Sequence, residues 1–425
     1  MADSTPITHS RVLKIALPVA LANATVPILG LVDTGVVGQL GAAAPIGAVG
    51  VGAVIITVCY WLFGFLRMGT AGLAAQALGR GETAEDIAIL MRALIAGAGI
   101  GVVLIIVQWP LFLLAFRISP ASPEVEALAH SYLGIRIWSA PAAIALYGIT
   151  GWLIAQERTR AVLVLQLWMN GLNILLDLVF VLGLGWGVEG VALATVIAEW
   201  SGLGLGFWIL RAQFRGDLWR NWTQILDPAR LRHMAAVNSD IMIRSALLLA
   251  GFSSLTFLGA GLGDVTLAAN QVLLQFLYIF AHTLDGFAFA AESLVGQAMG
   301  ARRRNRLRRA VWLCGLWIGA CSILLSIVFM LAGPMIIDIM TTAPEVRAEA
   351  RIYIGWLIVS PLLGALPFLL DGVFIGATRT RDMRNMMAVS TALYFAVAFL
   401  LLPIWGNHAL WFAMSVYFVA HGLTL

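Results

Sequence analysis

ARRRNRLRRAVWLCGLWIGACSILLSIVFMLAG, residues 301–333, decides the fold. From Ala310 to Gly333 there is no charged residue. A bilayer is crossed by a helix of ~20 such residues. A barrel strand would alternate apolar and polar residues over a much shorter length. This run is continuous, so it reads as a helix whose backbone satisfies its own hydrogen bonds in lipid. The basic cluster 301–309 could serve a nucleic acid in a soluble protein. Beside an apolar run it reads as a cytoplasmic topology anchor.

The rest of the chain repeats that pattern. Of its 425 residues, 61% are hydrophobic and 11% are charged, with a mean hydropathy of +0.92. A soluble domain would be about one quarter charged. Twelve apolar runs follow one another: 12–38, 45–78, 87–116, 125–155, 160–183, 188–211, 231–259, 265–299, 310–333, 348–377, 384–404 and 408–425. The last reaches Leu425 with no polar tail, so a twelfth helix cut short is expected. With the N-terminus placed in the cytoplasm, 20 of the 26 basic residues fall on the inner side. That alternation is the positive-inside pattern, and it accounts for the net charge of +4 without nucleic acid. Cys59, Cys314 and Cys321 lie in apolar runs and suggest neither a disulfide framework nor a zinc site. The N-terminal segment shows no signal-peptide pattern.

Three motifs recur at a constant shift of 221 residues. QALG at 76–79 returns as QAMG at 297–300, and SYLG at 131–134 as IYIG at 352–355. GWLIAQERTR at 151–160 returns as GVFIGATRTR at 372–381. Six spans per copy, an even number, keep both copies in one orientation. The expected fold is an all-α membrane protein of about twelve transmembrane helices, in two six-helix bundles related by a pseudo-two-fold axis along the membrane normal. The expected organisation is an N-terminal lobe at 1–212, a cytoplasmic linker at 213–230 and a C-terminal lobe at 231–425. Two bundles around a central site is a transporter architecture.

Charge inside a span is costly and calls for a reason. Asp33 and Asp177 sit in the first and fifth runs, each about one and a half turns from the outer end. At the repeat shift they correspond to Ser254 and Ala398, so the acidic pair belongs to the first copy alone. Asn170, Asn173 and Asp177 are spaced to form one polar stripe. Two readings fit: a proton-coupling pair, favoured by the asymmetry, and a structural carboxylate satisfied by its amide neighbours. Pro18 and Pro27 interrupt the first run, as a hinge or as a static packing kink. In the second copy Gln271, Gln275, Tyr278, His282, Asp285 and Glu292 share a face of the eighth run. Asp240 and Arg244 are spaced i, i+4, suited to an ion pair, and Asp371 lies in the tenth run. These residues suggest either a second ion site or a charge-compensated network closing the cytoplasmic side.

Signals for soluble chemistry are absent. There is no GxxxxGK[ST], HExxH, GxSxG or Cys–His constellation, and no DDxxD pair for a membrane-embedded enzyme. GAGIG (97–101) and GLGLG (202–206) follow no strand and read as close helix packing. The expectation is a transporter rather than an enzyme, with no cofactor and no assigned metal site.

The chain as a whole resembles the MATE (multidrug and toxic compound extrusion) transporters, DinF branch. The resemblance is carried by the 6+6 repeat, LPVALANATVPILGLVDTGVVGQLG in the first run and FLRMGTAGLAAQALGRG (65–81). NILLDLVFVLGLGWGVEGVALATVIAEW (173–200) and DGVFIGATRTRDMRN (371–385) add to it. It implies cation-coupled antiport of organic, often cationic and amphipathic, compounds by alternating access. It implies that Asp33 and Asp177 line an N-lobe cavity with Tyr132, Asn173 and Thr195, and that protonation bends the first helix at Pro18. Asp371 resembles a carboxylate of the C-lobe sodium site found in some members, whereas the helix-7 partner is less clear because Arg244 stands beside Asp240. Arg67 resembles a branch-specific feature. Protons are expected to drive transport, with sodium coupling or a lipid-precursor flippase as alternatives. Small organic substrates and membrane lipids are the expected partners, in a monomer spanning a bacterial inner membrane.

Overall fold

Lipid offers no partner to a backbone N–H or C=O, so each apolar run is driven into helix. The computed structural model describes residues 6–39, 43–118 and 122–425, and no strand occurs among them. The chain start, expected in the cytoplasm, and residues 40–41 of the first-run motif lie outside the described residues. In chain order the helices are α1 (His9–Ala24), α2 (Val26–Gly38), α3 (Ala43–Leu62), α4 (Phe65–Arg80), α5 (Thr83–Ile106), α6 (Gln108–Ile118), α7 (Pro123–Arg136), α8 (Ala140–Ala155), α9 (Thr159–Asp177) and α10 (Gly187–Ile209). They continue with α11 (Trp222–Ile225), α12 (Pro228–Ala260), α13 (Asp264–Gly300), α14 (Arg304–Met340), α15 (Pro344–Gly376), α16 (Thr380–Trp405) and α17 (Asn407–Thr424).

Among the described residues, ten helical stretches are long and apolar enough to cross a membrane. The first and last expected runs are not among the ten, for local reasons. The first is divided at Thr25, leaving α1 and α2 with 16 and 13 residues. Pro27 falls in the first turn of α2, where a missing N–H costs nothing. Pro18 lies inside α1, which continues through it, so the interruption of the first run falls at Thr25 and not at Pro18. The last run, α17, is helical but carries Asn407, His408 and His421.

Two compact units emerge. One holds Leu21–Leu78 and Glu82–Met234, and so includes the segment 213–230 expected as a cytoplasmic linker. Arg92 fixes that segment: Nε donates to the Ile225 carbonyl at 2.8 Å and Nη2 to that of Gln224 at 2.6 Å, while Nη1 meets Glu85 at 2.7 Å. The other unit holds Ala235–Leu425, Gly79–Gly81 and the described residues up to Ala20. Ile7, Val12, Ile15 and Ala16 are buried in its core. There α1 approaches α13 so closely that a Cβ on Gly286 would meet the Ala16 carbonyl oxygen at 2.7 Å.

The sequence repeat reappears as one packing contact made twice, each time inside its own unit. A Cβ on Gly151 would collide with the Arg67 carbonyl, and a Cβ on Gly372 with the Ala288 carbonyl. Both partners of the second contact lie 221 residues after those of the first. Small residues let helix backbones touch where lipid gives no hydrophobic drive for association.

Candidate functional site

The acidic pair sits in the first unit. Asp33 lies on α2 and is half-buried; Asp177 is the last residue of α9 and is fully buried. Immediately after Asp177 the chain forms a π-helical turn, Leu178–Gly183. Such turns shift a helix face by one residue and recur at functional sites. Asn173, one turn back on α9, joins Asp33 and Asp177. Its amide is satisfied at both ends with Nδ2 donating to Asp33 Oδ1 at 3.3 Å and to Asp177 Oδ2 at 3.1 Å. Its Oδ1 then accepts from the Thr195 hydroxyl at 2.9 Å. Asp177 Oδ1 has no partner in the structure although it is buried.

Two further expected residues complete this side. Asn170 is turned toward the break in the first run, its Nδ2 donating to Thr25 Oγ1 at 2.8 Å and to the Thr25 carbonyl at 3.3 Å. Tyr132 on α7 is buried, its ring lying where Gly52 of α3 has no side chain.

Sequence reading passed over a buried charge pair of the unit. Arg136 Nη1 and Nη2 donate to Glu199 Oε2 at 3.0 Å and Oε1 at 3.2 Å, a two-pronged contact between α7 and α10. Arg136 Nη1 also donates to Ser139 Oγ at 2.6 Å, and the Tyr60 hydroxyl donates to the Arg136 carbonyl at 3.2 Å. Arg136 is one turn beyond Tyr132 and close enough to act on Asp33 electrostatically. The available signal was two opposite charges inside apolar runs.

The second unit departs from the expected pairing. Arg244 does not pair with Asp240 along α12. Arg244 Nη2 binds Asp371 Oδ2 on α15, while Asp371 Oδ1 accepts from His421 Nε2 at 3.0 Å. Asp240 instead accepts from Arg384 at 2.6 Å and from the Thr380 hydroxyl at 3.3 Å. The reason is packing: neighbouring helices bring a facing charge to each residue, which overrides an i, i+4 pairing along one helix. Both oxygens of Asp371 are thus engaged by cationic or N–H donors, unlike an oxygen cage prepared for sodium. His282 donates Nδ1–H to the Tyr278 carbonyl at 2.7 Å, Asp285 is half-buried and Glu292 is fully buried, all on α13. Among the described residues no three His, Cys, Asp or Glu side chains gather as a metal site.

At the repeat shift Asp33 and Asn173 correspond to Ser254 and Tyr394. Those two also touch, with Ser254 Oγ 2.7 Å from the Tyr394 hydroxyl oxygen. The contact recurs in both units, and the charge occurs in one.

Known proteins resemble this chain along nearly its whole length. The MatE family model matches residues 18–179 and 241–400. DNA damage-inducible protein F of Escherichia coli (strain K12) is 40% identical, covering 97% of this chain and 90% of that protein. A probable multidrug resistance protein NorM of Synechocystis sp. is 26% identical, covering 91% and 85%. Among solved structures, the Vibrio cholerae MATE transporter VcmN in its bent form superposes with a TM-score of 0.87 at 20% identity, covering 98% of this chain and 94% of that one. An outward-facing MATE family transporter of the MOP superfamily gives 0.82 at 18% identity, covering 98% and 93%. With the twofold helical repeat, the asymmetric acidic pair and these matches in hand, the chain belongs to the MATE family of transporters, in its DinF branch.

Proposed function

We propose that the chain is a proton-coupled multidrug exporter working by alternating access, with organic, often cationic, amphipathic compounds as substrates. The observation that carries the reading is the pair Asp33 and Asp177 bridged by the single amide of Asn173. Two carboxylates held together away from water repel, and a proton or a bound cation relieves that repulsion. A site that exchanges a proton for an organic cation can therefore couple the two flows. The unpartnered Asp177 Oδ1 supports the same reading, because a buried polar atom with no partner is a place for a proton or ligand to bind. Engagement of Asp371 by Arg244 and His421 weighs against sodium as the driving ion. The reading places the protein in a bacterial inner membrane, N-terminus in the cytoplasm, acting as a monomer without nucleic acid or cofactor.

The test is export of a fluorescent organic cation from proteoliposomes under an imposed pH gradient. The wild type should export, and Asp33→Asn and Asp177→Asn should each stop gradient-driven export while keeping the wild-type thermal transition. Full export driven by a sodium gradient at clamped pH would overturn proton coupling.

A further inference from the structure

A second feature of the first unit lies away from the acidic pair. Residues at the start of α9 and just after α10 line an open cavity of about 490 Å³. Four of them are arginines: Arg158, Arg160, Arg211 and Arg215. Trp208 and Val164 form the apolar part of the wall, and no acidic residue lines it. Both are exposed, as are all four arginines. Arg211 lies over the Trp208 ring at 4.2 Å and donates Nη1–H to the Trp208 carbonyl at 2.9 Å. Arg158, Arg160 and Arg215 have no side-chain partner among the described residues.

The charge arrangement is unfavourable without an anion. Arg158 is the N-cap of α9 and Arg160 its second residue, and the first turn holds no acidic residue. The N-terminus of a helix already carries a partial positive charge and unpaired N–H groups, which favour anions and disfavour cations. Two more arginines from the turn Arg211–Phe214 and its edge add to the same concavity. Topology alone requires positive charge on this side. It does not require that charge to converge on one cavity beside an apolar wall and an interfacial tryptophan.

We propose that this cavity binds the phosphate of an anionic phospholipid, with the arginines around the headgroup and Trp208 and Val164 against the glycerol and upper acyl region. A basic pocket between transmembrane helices, edged by an aromatic residue at headgroup level, has the chemistry for such a lipid. A soluble phosphate would satisfy the arginines and leave the apolar wall uncovered.

The experiment uses the full-length protein in detergent, titrated with dioleoylphosphatidylglycerol and read by native mass spectrometry as bound lipid per protein. Dioleoylphosphatidylcholine and inorganic phosphate are the controls for headgroup charge and for a soluble source. One phosphatidylglycerol should be retained, with phosphatidylcholine retained far less. Arg160→Gln with Arg215→Gln should weaken that binding roughly twenty-five-fold, about five-fold per charge near an anionic surface. Arg303→Gln with Arg304→Gln, in the other basic cluster, should leave it within two-fold. If the first double variant does not fold, Arg215→Gln alone, in an exposed turn, should show the five-fold loss. Equal weakening by both double variants would make the attraction diffuse and overturn the site. Displacement of the lipid by inorganic phosphate at matched concentration would overturn the lipid as its ligand.

Discussion

Asn173 has one amide group and three claims on it. Its Nδ2 serves both carboxylates and its Oδ1 serves Thr195. A leucine there would keep the volume and remove the donor. Hydrogen bonds to charged groups are worth about 1.5–3 kcal/mol each. Asn173→Leu should therefore slow pH-driven export roughly ten- to a hundred-fold while leaving the protein folded, measured as initial rates in proteoliposomes. Arg136 makes a different prediction. It is buried and doubly bonded to Glu199, so Arg136→Ala leaves a carboxylate in a poorly solvated place, at about 3–5 kcal/mol. Its thermal transition should drop, and Glu199→Gln added to it should restore part of the loss. Asp33 and Asp177 were legible in the sequence because a lone charge in an apolar run stands out. Arg136 and Glu199 stand out equally, but only the adjacency of α7 and α10 shows that they neutralise each other. Asp240 and Arg244 misled for the converse reason: spacing along one helix says nothing of the facing charges that Arg384 and Asp371 supply.

Elements show the same division between what a sequence states and what it conceals. The helical runs were plain from length and apolarity. The break at Thr25 was half visible, since two prolines announced an interruption without saying which would host it. At that break the Thr25 hydroxyl donates to the Ala22 carbonyl at 2.7 Å and accepts from Asn170 at 2.8 Å. Thr25→Val would remove both bonds while keeping the shape. Export should fall several-fold, with folding little changed, if the break moves during transport. The π-turn after Asp177 was invisible, because it depends on the phase of backbone bonding and not on composition. The segment 213–230 reads as a cytoplasmic linker from its basic, Trp-rich composition, whereas the bonds that Arg92 makes to it from α5 are not legible there. Arg92→Ala should release α11 and make 213–232 several-fold more sensitive to limited proteolysis, with the rest of the chain unaffected.

At the scale of the molecule the repeat is both an architecture and an experiment. Gly151 and Gly372 make matched contacts in the two units. Adding a side chain at either should strain close backbone packing by about 1–3 kcal/mol or more. Gly151→Val and Gly372→Val should lower thermal stability alike, whereas a site-specific role would separate them. Charge diverges where the contact does not, because Ser254 and Tyr394 keep the contact of Asp33 and Asn173 without its carboxylate. One packing contact of α1 also sets an order of events during biosynthesis. Gly286, against which Ala16 packs, is made some 270 residues after it. At about 5–20 residues per second that interval is roughly 15–55 s. For that time Ile7, Val12 and Ile15 wait without their native neighbours, inside lipid or beside a chaperone. Nascent chains halted before α13 should therefore leave the first helix open to crosslinking by the insertion machinery, and chains released after Gly300 should not.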